Sequence, residues 1–367
     1  MKVCHITSAH QRYDVRIFEK ECVSLAKRGY KTFLVVNDNN ANEICKGVNI
    51  VSTNFSPKNR AERFLFSTRK VLKKAIEINA DIYHLHDPEL LSISLKLKGM
   101  GKKVIFDAHE DTELQIYDKG WIPKAIRGAV ARGYARYFRS RIGKLDGIIT
   151  VTPAFIEKFM KYNKRCALVT NYPIIDERQE IFVTHNYKHK EKYIFFAGGI
   201  SEQWNHEIVA RAAYECGVKY VFAGRGDDEY LKKITGMPNT EYLGIIPHDK
   251  VNEYYADAIA GMAILTCTQV GDEGTLGNTK LFEVMQASKP VICTNFKLWK
   301  DIIDKYNCGL SINPLCYEEL VEAIRFIKNN ETKAYELGRN GRMAIEEEYN
   351  WACQEKNLLK IYDEIME

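Results

Sequence analysis

The amino-acid sequence predicts an α/β protein of two domains, each with a doubly wound parallel sheet of the Rossmann type. Short apolar runs rich in β-branched and aromatic residues alternate with longer helical patterns, which is the rhythm of βαβ units. The rhythm breaks near residues 171–180 and then restarts. Because 367 residues also exceed one typical core, we expect two such domains that face a central cleft.

Nine runs predict the strands, and their apolar residues are continuous, as in strands covered on both faces. Five runs precede the break and four follow it: 2–8, 31–36, 81–86, 103–109 and 147–152, then 193–199, 220–224, 261–266 and 290–294. The first helix is predicted over residues 16–29. A last helical pattern places four apolar residues on one stripe, namely Leu358, Ile361, Tyr362 and Ile365.

These elements predict the domain organisation. The N-terminal domain is expected over residues 1–168 and the C-terminal domain over residues 169–349. The final segment, 350–367, is expected to form a helix that crosses back onto the first domain.

Composition excludes several classes of protein. No stretch of eighteen apolar residues occurs, so no membrane span is predicted, and the N-terminus lacks the apolar core of a secretory signal. Ten cysteines are scattered without a CxxC pair, which argues against a zinc site and a disulfide framework. We therefore expect reduced thiols and a cytoplasmic protein.

The common phosphate-binding loops are missing from the first domain. TSAHQRYDVRIF follows the first strand and contains no glycine, so the GxGxxG motif of dinucleotide-binding proteins is absent there. The chain also lacks a Walker A loop and the GxSxG motif of a serine nucleophile. Hydride transfer and ATP hydrolysis are therefore not expected.

Candidate site residues follow the strands, because ligands of open α/β sheets bind beyond the carboxyl ends of the strands. His84 and His86 lie two apart on one strand and point to one face, but no third ligand is assured, so no metal site is predicted. His109 is flanked by acids, and structural and catalytic roles for it are equally open. The candidates are Asp14, Arg16, His86 and His109 in the first domain, and Gly198, Gly199 and Arg225 in the second.

Two basic segments interleave charge with aromatic residues. Residues 121–145 contain seven Lys or Arg residues and no acid, and residues 57–74 repeat the mixture. Their basic stems can simply lie along apolar surface with the charges in water. Helical spacing with aromatic residues favours peripheral contact with an anionic membrane, such as the inner face of the cell membrane. Nucleic acid is not predicted as a partner, because no DNA- or RNA-binding motif accompanies the charge.

The segment GTLGNTKLFEVMQASKP, residues 274–290, runs from small residues into a helix. Asn278 is a good N-cap, so a helix is predicted from Thr279, with the backbone N–H groups of residues 277–280 free to bind an anion. Glu283 is expected on one face with Lys280. Either the two form a surface ion pair, or the carboxylate accepts both hydroxyls of a ribose whose diphosphate lies at the helix start. The residues alone leave both interpretations open.

GNTKLFEVMQASKPVI resembles the signature of the retaining glycosyltransferases of family 4, the glycosyl transferases group 1, which have the GT-B fold. The resemblance covers nearly the whole chain. It extends to DVRIFEKECVSLAKRGYK, IYHLHDPELL, FDAHED, VTNYP and FAGGIS.

The resemblance implies an enzyme that moves a sugar from a nucleotide-diphosphate donor to a hydroxyl of a glycan or lipid-linked acceptor, in cell-surface polysaccharide biosynthesis. It implies retention of the anomeric configuration, with no metal and no cofactor. Glu283 takes the place of the ribose-binding glutamate, and His109 that of the histidine near the transferred sugar. Contacts with phosphate, donor sugar and base are implied for Gly277, Asn278, Thr279, Ile245 and Ile246.

The chain departs from the family pattern at three positions. Thr275 stands where a second glutamate is common, and Glu273 is the nearest substitute. Gly199 and Trp204 stand where an arginine and a lysine usually neutralise the diphosphate, which leaves Lys280, Arg225 and Arg16 as the available cations. A sugar-nucleotide epimerase of the same fold, or a non-catalytic member of a polysaccharide assembly complex, are therefore alternatives.

Overall fold

A computed structural model describes residues 1–59, 62–108, 112–118, 122–175, 191–268 and 270–367. Contacts between Cα atoms divide the chain into two compact units. Unit 1 comprises Met1–Asn171 and Ala352–Glu367, and unit 2 comprises Tyr172–Trp351. Each unit contains its own sheet.

Unit 1 contains an eight-stranded sheet in the order β3-β4-β2-β1-β5-β6-β7-β8. All pairs are parallel except β3 with β4. The chain leaves β1 toward β2 on one side and returns to β5 on the other, so the strand order reverses between β1 and β5. The strands are β1 Lys2–Ile6, β2 Lys31–Val36, β3 Glu43–Cys45, β4 Val48–Ser52, β5 Ile82–Leu85, β6 Lys103–Ala108, β7 Gly147–Thr150 and β8 Cys166–Leu168.

The first helix, α1, begins as a π-helix, Val15–Cys22, and continues as an α-helix, Val23–Lys27. Asp14 caps it, since its Oδ1 accepts hydrogen bonds from the backbone N–H groups of Arg16 and Ile17, each 2.9 Å away. The other helices of unit 1 are α2 (Arg63–Ser67 continued by Thr68–Ile78), α3 (Pro88–Leu90 continued by Leu91–Gly99), α4 Thr112–Asp118, α5 Lys124–Ile142 and α6 Pro153–Met160.

Unit 2 contains a six-stranded parallel sheet in the order β11-β10-β9-β12-β13-β14. Counted from its first strand this is the order 3-2-1-4-5-6 of a nucleotide-binding sheet, and the order reverses between β9 and β12. The strands are β9 Tyr193–Ala197, β10 Lys219–Ala223, β11 Thr240–Tyr242, β12 Ala260–Ala263, β13 Val291–Thr294 and β14 Gly309–Ile312. The helices are α7 His206–Glu215, α8 Asp228–Thr235, α9 His248–Asp257, α10 Lys280–Gln286, α11 Lys297–Tyr306, α12 Tyr317–Asn329 and α13 Glu331–Glu347.

The last helix, α14, spans Trp351–Met366, and its apolar stripe is buried as predicted. Leu358 and Tyr362 are fully buried, and a Cβ atom built at Gly147 of β7 would lie 2.9 Å from Ile365 Cδ1. The helix therefore packs directly on the sheet of unit 1 where β7 has no side chain.

All nine predicted strands are present, and the first helix is confirmed over nearly its predicted length. Five further strands were not predicted: β3, β4, β8, β11 and β14. Four of these lie at the edges of the two sheets and have only three or four residues each.

One glycine controls how α10 packs on the sheet of unit 2. A Cβ atom at Gly261 of β12 would lie 2.2 Å from Val284 Cγ2 and 3.0 Å from the Tyr255 ring, so the helix approaches as closely as the backbone allows. Val284 and Tyr255 are both fully buried. No side chain larger than hydrogen fits there without moving α10.

We expect Gly261→Ala to lower the stability of the protein by about 1–3 kcal/mol, because overpacking forces α10 from the sheet. The control is Gly133→Ala in α5, where no atom lies within 4 Å of the added Cβ, so a small gain of helix stability is expected. Thermal unfolding of the two variants and the parent measures the difference. Equal midpoints for the parent and Gly261→Ala would contradict the close packing.

Candidate functional site

Glu283 lies on α10 with both carboxylate oxygens held by its neighbours. Thr279 Oγ1 donates to Oε1 at 2.6 Å, and Lys280 Nζ donates to Oε2 at 2.8 Å. The side chains of Lys280 and Glu283 are 18% and 16% exposed, so the pair is partly enclosed but open to solvent. The opposite face of α10 is fully buried through Leu281, Phe282, Val284 and Met285. The predicted face is confirmed, and the ion pair that was one of two interpretations is present.

The loop before α10 satisfies part of its own backbone. Asn278 Oδ1 accepts from the N–H of Lys280 at 3.0 Å, but the helix begins at Lys280 and its N-cap is Thr279, so the predicted cap and the predicted start are each one residue early. The N–H of Gly277 donates to Thr275 Oγ1 at 3.1 Å, and Trp299 Nε1 donates to the carbonyl of Thr275 at 2.7 Å. The expectation that four N–H groups are free is therefore wrong for Gly277 and Lys280. The Thr275 hydroxyl accepts the hydrogen bond of the Gly277 N–H, and the Asn278 side-chain oxygen accepts that of the Lys280 N–H.

The glycine turn after β9 is in contact with Lys280. A Cβ atom at Gly198 would lie 2.7 Å from Lys280 Cε, so only glycine leaves room for the lysine stem. Gly224, at the end of β10, has φ +139° and a Cβ there would lie 1.7 Å from the Gly198 carbonyl oxygen. Two strand ends and the start of α10 thus meet where the strand order of unit 2 reverses.

The other predicted donor-binding residues lie in neighbouring loops that backbone hydrogen bonds join together. The N–H of Ile200 donates to the Arg225 carbonyl, and the N–H of Gly224 donates to the Gly244 carbonyl, each at 2.8 Å. Arg225 is exposed. Gly199 belongs to the first loop, and Ile245 (66% exposed) and Ile246 follow Gly244.

Glu273 and Trp204 have different surroundings. Glu273 ends a short 3-10 turn, Gly271–Glu273, in the loop between β12 and α10. The Trp204 ring lies 5.1 Å from the ring of Phe196, whose side chain is buried, so Trp204 is a packing residue at the position where the family commonly has a lysine.

The first-domain candidates have internal partners. Arg16 is 7% exposed, and its guanidinium binds Asp107 through two hydrogen bonds of 2.7 and 3.0 Å. Burial lowers the pKa of Arg16, but the charges of Asp107 and Glu21 raise it by more. The net shift is upward, so the guanidinium is charged. The expectation that Arg16 is available to neutralise a diphosphate is therefore wrong, because its charge is already paired inside unit 1.

His86 and Asp14 also serve unit 1. His86 is fully buried and hydrogen-bonds His5 at 2.9 Å, while Asp14 caps α1. His109 lies outside the described residues.

A cavity of about 610 Å³ in unit 1 was not predicted. It is lined by residues that follow β1 and β2, including His10, Arg12 and Asp38, and by Arg63 of α2. Its mixture of cationic, anionic and amide side chains suits a polar ligand. HITSAH, residues 5–10, runs from the end of β1 into the loop that lines this cavity, so polar residues after a strand were the sequence signal for it.

Asp87 fixes the loop beside this cavity. Its Oδ2 accepts from the N–H of Ser8 at 2.6 Å and from the Thr7 hydroxyl at 2.8 Å, and its Oδ1 lies 3.2 Å from His10 Nδ1. Burial raises the pKa of Asp87, but the hydrogen bond and charge of His10 and the bonds from Ser8 and Thr7 lower it well below the usual range. Burial lowers the pKa of His10, whereas Asp87 raises it, and the net shift is upward.

Two α/β units, each with a mainly parallel, doubly wound sheet, are characteristic of the GT-B fold. Two family models match successive parts of the chain. Glycosyltransferase Family 4 matches residues 18–178, and Glycosyl transferases group 1 matches residues 177–344. The chain belongs to the group 1 glycosyltransferases of the GT-B fold.

Solved structures agree on the fold. Sucrose-phosphate synthase from Thermosynechococcus elongatus superimposes with a TM-score of 0.75 at 15% identity, covering 100% of this chain and 99% of that one. WaaG, a glycosyltransferase involved in lipopolysaccharide biosynthesis, gives 0.70 at 15% identity, with 98% and 99% covered. Anabaena HepE, in complex with UDP and glucose, gives a TM-score of 0.68 at 12% identity, with 99% of this chain and 100% of that one covered.

No curated protein matches the sequence. Among the described residues, no helix is both long and apolar enough to cross a membrane.

The Asp87–His10 pair predicts a bell-shaped dependence of stability on pH. The folded pKa of Asp87 is lowered, so its contribution is present above an unfolded pKa of about 3.9 and is lost as the pH falls through the folded pKa. The folded pKa of His10 is raised, so its contribution is full below an unfolded pKa of about 6.5 and is lost as the pH rises through the folded pKa.

We therefore expect Asp87→Asn to cost about 1.5–3 kcal/mol near pH 5 and less at both lower and higher pH. Urea unfolding of parent and variant at several pH values measures the difference. The control is Asp304→Asn, whose exposed pair with Lys300 should be worth no more than about 1 kcal/mol. A cost for Asp87→Asn that is independent of pH would contradict the pairing.

Proposed function

We propose that this glycosyltransferase moves a sugar from a nucleoside diphosphate to a hydroxyl of a glycan or lipid-linked acceptor, with retention of the anomeric configuration. The main observation behind this proposal is the position of the Glu283 carboxylate. It is partly exposed, and it lies beside the Gly198 turn where the strand order of unit 2 reverses. That position is where open α/β sheets bind nucleotides. The family and the UDP-bound relative support the same donor class.

Glu283 would bind the ribose. Within the protein, Oε1 accepts a hydrogen bond from Thr279 and Oε2 accepts one from Lys280. An ionised carboxylate has about four lone-pair positions, so it can accept from both ribose hydroxyls as well. Thr279 and Lys280 would then hold the carboxylate in one orientation, which lowers the entropy cost of binding.

Lys280, with the exposed Arg225, would neutralise the departing diphosphate. Stabilising the leaving group is the main electrostatic task in this transfer. The bond between the anomeric carbon and the diphosphate oxygen breaks, and the acceptor oxygen bonds to the same face of that carbon. The acceptor proton passes to the leaving phosphate oxygen. This route uses neither a protein nucleophile nor a metal or other cofactor.

The acceptor would bind unit 1 at the cavity lined by His10, Arg12 and Arg63. Hydroxyl-rich sugars suit its mixed donors and acceptors. Next to the cavity lining, α2 exposes Leu65 (62%) and Phe66 (48%), apolar groups that would fit a lipid-linked acceptor.

We propose that basic helices bring the enzyme to the anionic inner face of the cell membrane, where it would act in cell-surface polysaccharide biosynthesis. Helix α5 combines exposed Arg132, Arg136 and Arg139 with Ile126 (50% exposed) and Val130 (38% exposed). This combination is typical of a helix at a membrane surface. Trp121, which begins the predicted basic segment, lies outside the described residues.

A weakly active or non-catalytic member of an assembly complex is the second candidate. Two observations favour it. Trp204, which packs against Phe196, stands where the family commonly has a lysine, and the charge of Arg16 is paired with Asp107, so neither position supplies a cation to the donor site. Turnover of donor with acceptor would exclude it, and turnover of donor alone to an isomer would indicate an epimerase.

We expect Glu283→Ala to remove measurable UDP binding, because two hydrogen bonds to a charged group, about 1.5–3 kcal/mol each, correspond to at least about a hundredfold loss of affinity. Isothermal titration calorimetry with UDP measures it. Glu253→Ala is the matched control, because Glu253 forms the same i,i+3 pair with a lysine, Lys250, at 2.7 Å on another helix of unit 2. Unchanged UDP affinity in Glu283→Ala would rule out the ribose role.

We expect replacement of Arg132, Arg136 and Arg139 by Glu to release the protein from phosphatidylserine vesicles. Each basic residue near such a surface contributes about 1 kcal/mol, so the three together correspond to at least a hundredfold loss of partitioning. Vesicle cosedimentation measures it, with replacement of the exposed Lys96, Lys356 and Lys360 by Glu as the control of equal charge change. Similar losses in both variants would mean that net charge, and not α5, determines binding.

A further inference from the structure

Four side chains of types that bind metal ions converge inside unit 1, whereas the proposed donor site belongs to unit 2. His5 lies on β1, Glu21 on α1, and His84 and His86 on and just after β5. His5 and His84 are direct partners in the parallel register between β1 and β5. All four residues are fully buried. The proposed glycosyl transfer gives this cluster no role.

The geometry places three imidazoles around one carboxylate oxygen. Glu21 Oε2 lies 3.8 Å from His5 Nδ1, 3.7 Å from His84 Nδ1 and 3.8 Å from His86 Nε2. One ligand atom from each of the four residues falls within 4.8 Å of all the others. A tetrahedral Zn²⁺ with bonds of about 2.0–2.1 Å separates its ligand atoms by about 3.3 Å. Coordination would therefore require Glu21 Oε2 to approach the three imidazole nitrogens by about 0.5 Å, while His5 Nδ1 and His86 Nε2, which lie 2.9 Å apart, move slightly away from each other.

The unsatisfied atoms point to a missing partner. Neither oxygen of Glu21 has a hydrogen bond within the described part of the chain, although Oε1 lies 3.2 Å from Arg16 Nη2. A fully buried carboxylate without hydrogen bonds is costly. The alternative to a metal ion is a network of hydrogen bonds among the same side chains. In it His5 Nδ1 lies 2.9 Å from His86 Nε2, and His84 Nδ1 lies 3.0 Å from Tyr362 OH. That arrangement leaves Glu21 Oε2 without a donor.

Two of the imidazoles also have the outer partners that metal-binding histidines usually have. His86 Nδ1 lies 3.3 Å from Asp107 Oδ2, and His5 Nε2 lies 3.2 Å from the hydroxyl of Tyr362. Such partners fix the tautomer and direct the other ring nitrogen toward the metal. In both residues the nitrogen left over is the one that faces Glu21.

We propose that His5, Glu21, His84 and His86 form a buried site for one divalent transition-metal ion, for which Zn²⁺ is the best match to three imidazoles and a carboxylate. Four protein ligands without solvent access make a closed, structural site, since catalytic zinc keeps an open position. The ion would join β1, α1 and β5 where the strand order of unit 1 reverses. Through Tyr362 it would also stabilise the docking of α14.

The test uses the full chain, stripped of metal with a chelator and titrated with Co²⁺. We expect one equivalent to bind with the strong visible absorption of tetrahedral Co²⁺ and without a thiolate charge-transfer band. Zn²⁺ should displace it and raise the unfolding temperature, because an ion bound only to the folded state stabilises that state.

Glu21→Gln and His84→Gln should each weaken Co²⁺ binding by at least about tenfold, the lower end of what is lost when only an outer partner is changed. His206→Gln is the matched control, because His206 is equally buried in unit 2 and its Nδ1 lies 2.6 Å from Tyr220 OH. That variant should bind Co²⁺ like the parent. Circular dichroism checks that each variant is folded.

The site is overturned if the stripped parent binds no stoichiometric Co²⁺, if its spectrum is octahedral or thiolate-ligated, or if folded Glu21→Gln and His84→Gln bind as tightly as the parent. Should both variants fail to fold, the stoichiometry and spectrum of the parent decide the question. These readouts do not involve UDP, so they are separate from the test of the donor site.

Discussion

The packing of α10 on β12 determines what the second unit presents to a ligand. Because Gly261 has no side chain, Val284 reaches the strand backbone and the apolar face of α10 is fully buried. Once that face is fixed, Thr279, Lys280 and Glu283 must point away from the core. The Lys280 stem then passes over Gly198, which again has room only for hydrogen. Hydrophobic packing thus positions the Lys280–Glu283 ion pair where the strand order of unit 2 reverses.

Much of this was predictable from the sequence, because the signals are local. Strands such as β5 and β9 are buried on both faces and consist largely of apolar residues, so their positions were predicted to within one or two residues. The strands that were missed, such as β3 and β11, are short, lie at sheet edges and are only partly buried, so their residues carry little apolar signal. The faces of α10 followed from helical periodicity in the same way.

The surroundings of individual charges were not predictable, because they depend on residues distant in sequence. Arg16 was expected to face a ligand, but its partner Asp107 is 91 residues away. No third ligand was assured for His84 and His86 from the sequence, and the strand register brings His5 beside them while α1 brings Glu21. Likewise the start of α10 was predicted to within one residue, but the hydrogen bond from the Gly277 N–H to the Thr275 hydroxyl was not predicted. Spacing along the chain cannot show these pairings.

Both units concentrate polar groups where the strand order reverses, but they use them differently. In unit 2 the charges of Lys280 and Glu283 remain partly exposed, as ligand binding requires. In unit 1 the equivalent position is closed over a network of histidines and paired charges, and the open cavity lies farther out, beside Asp87 and His10. This difference supports a donor site in unit 2 and an acceptor site in the cavity of unit 1.

The most direct evidence for the donor site would be a crystal structure of the protein soaked with UDP. We expect both ribose hydroxyls within hydrogen-bond distance of the Glu283 carboxylate, and the diphosphate beside Lys280 and the Gly198 turn. A UDP molecule bound elsewhere, without any contact with the Glu283 carboxylate, would contradict the account.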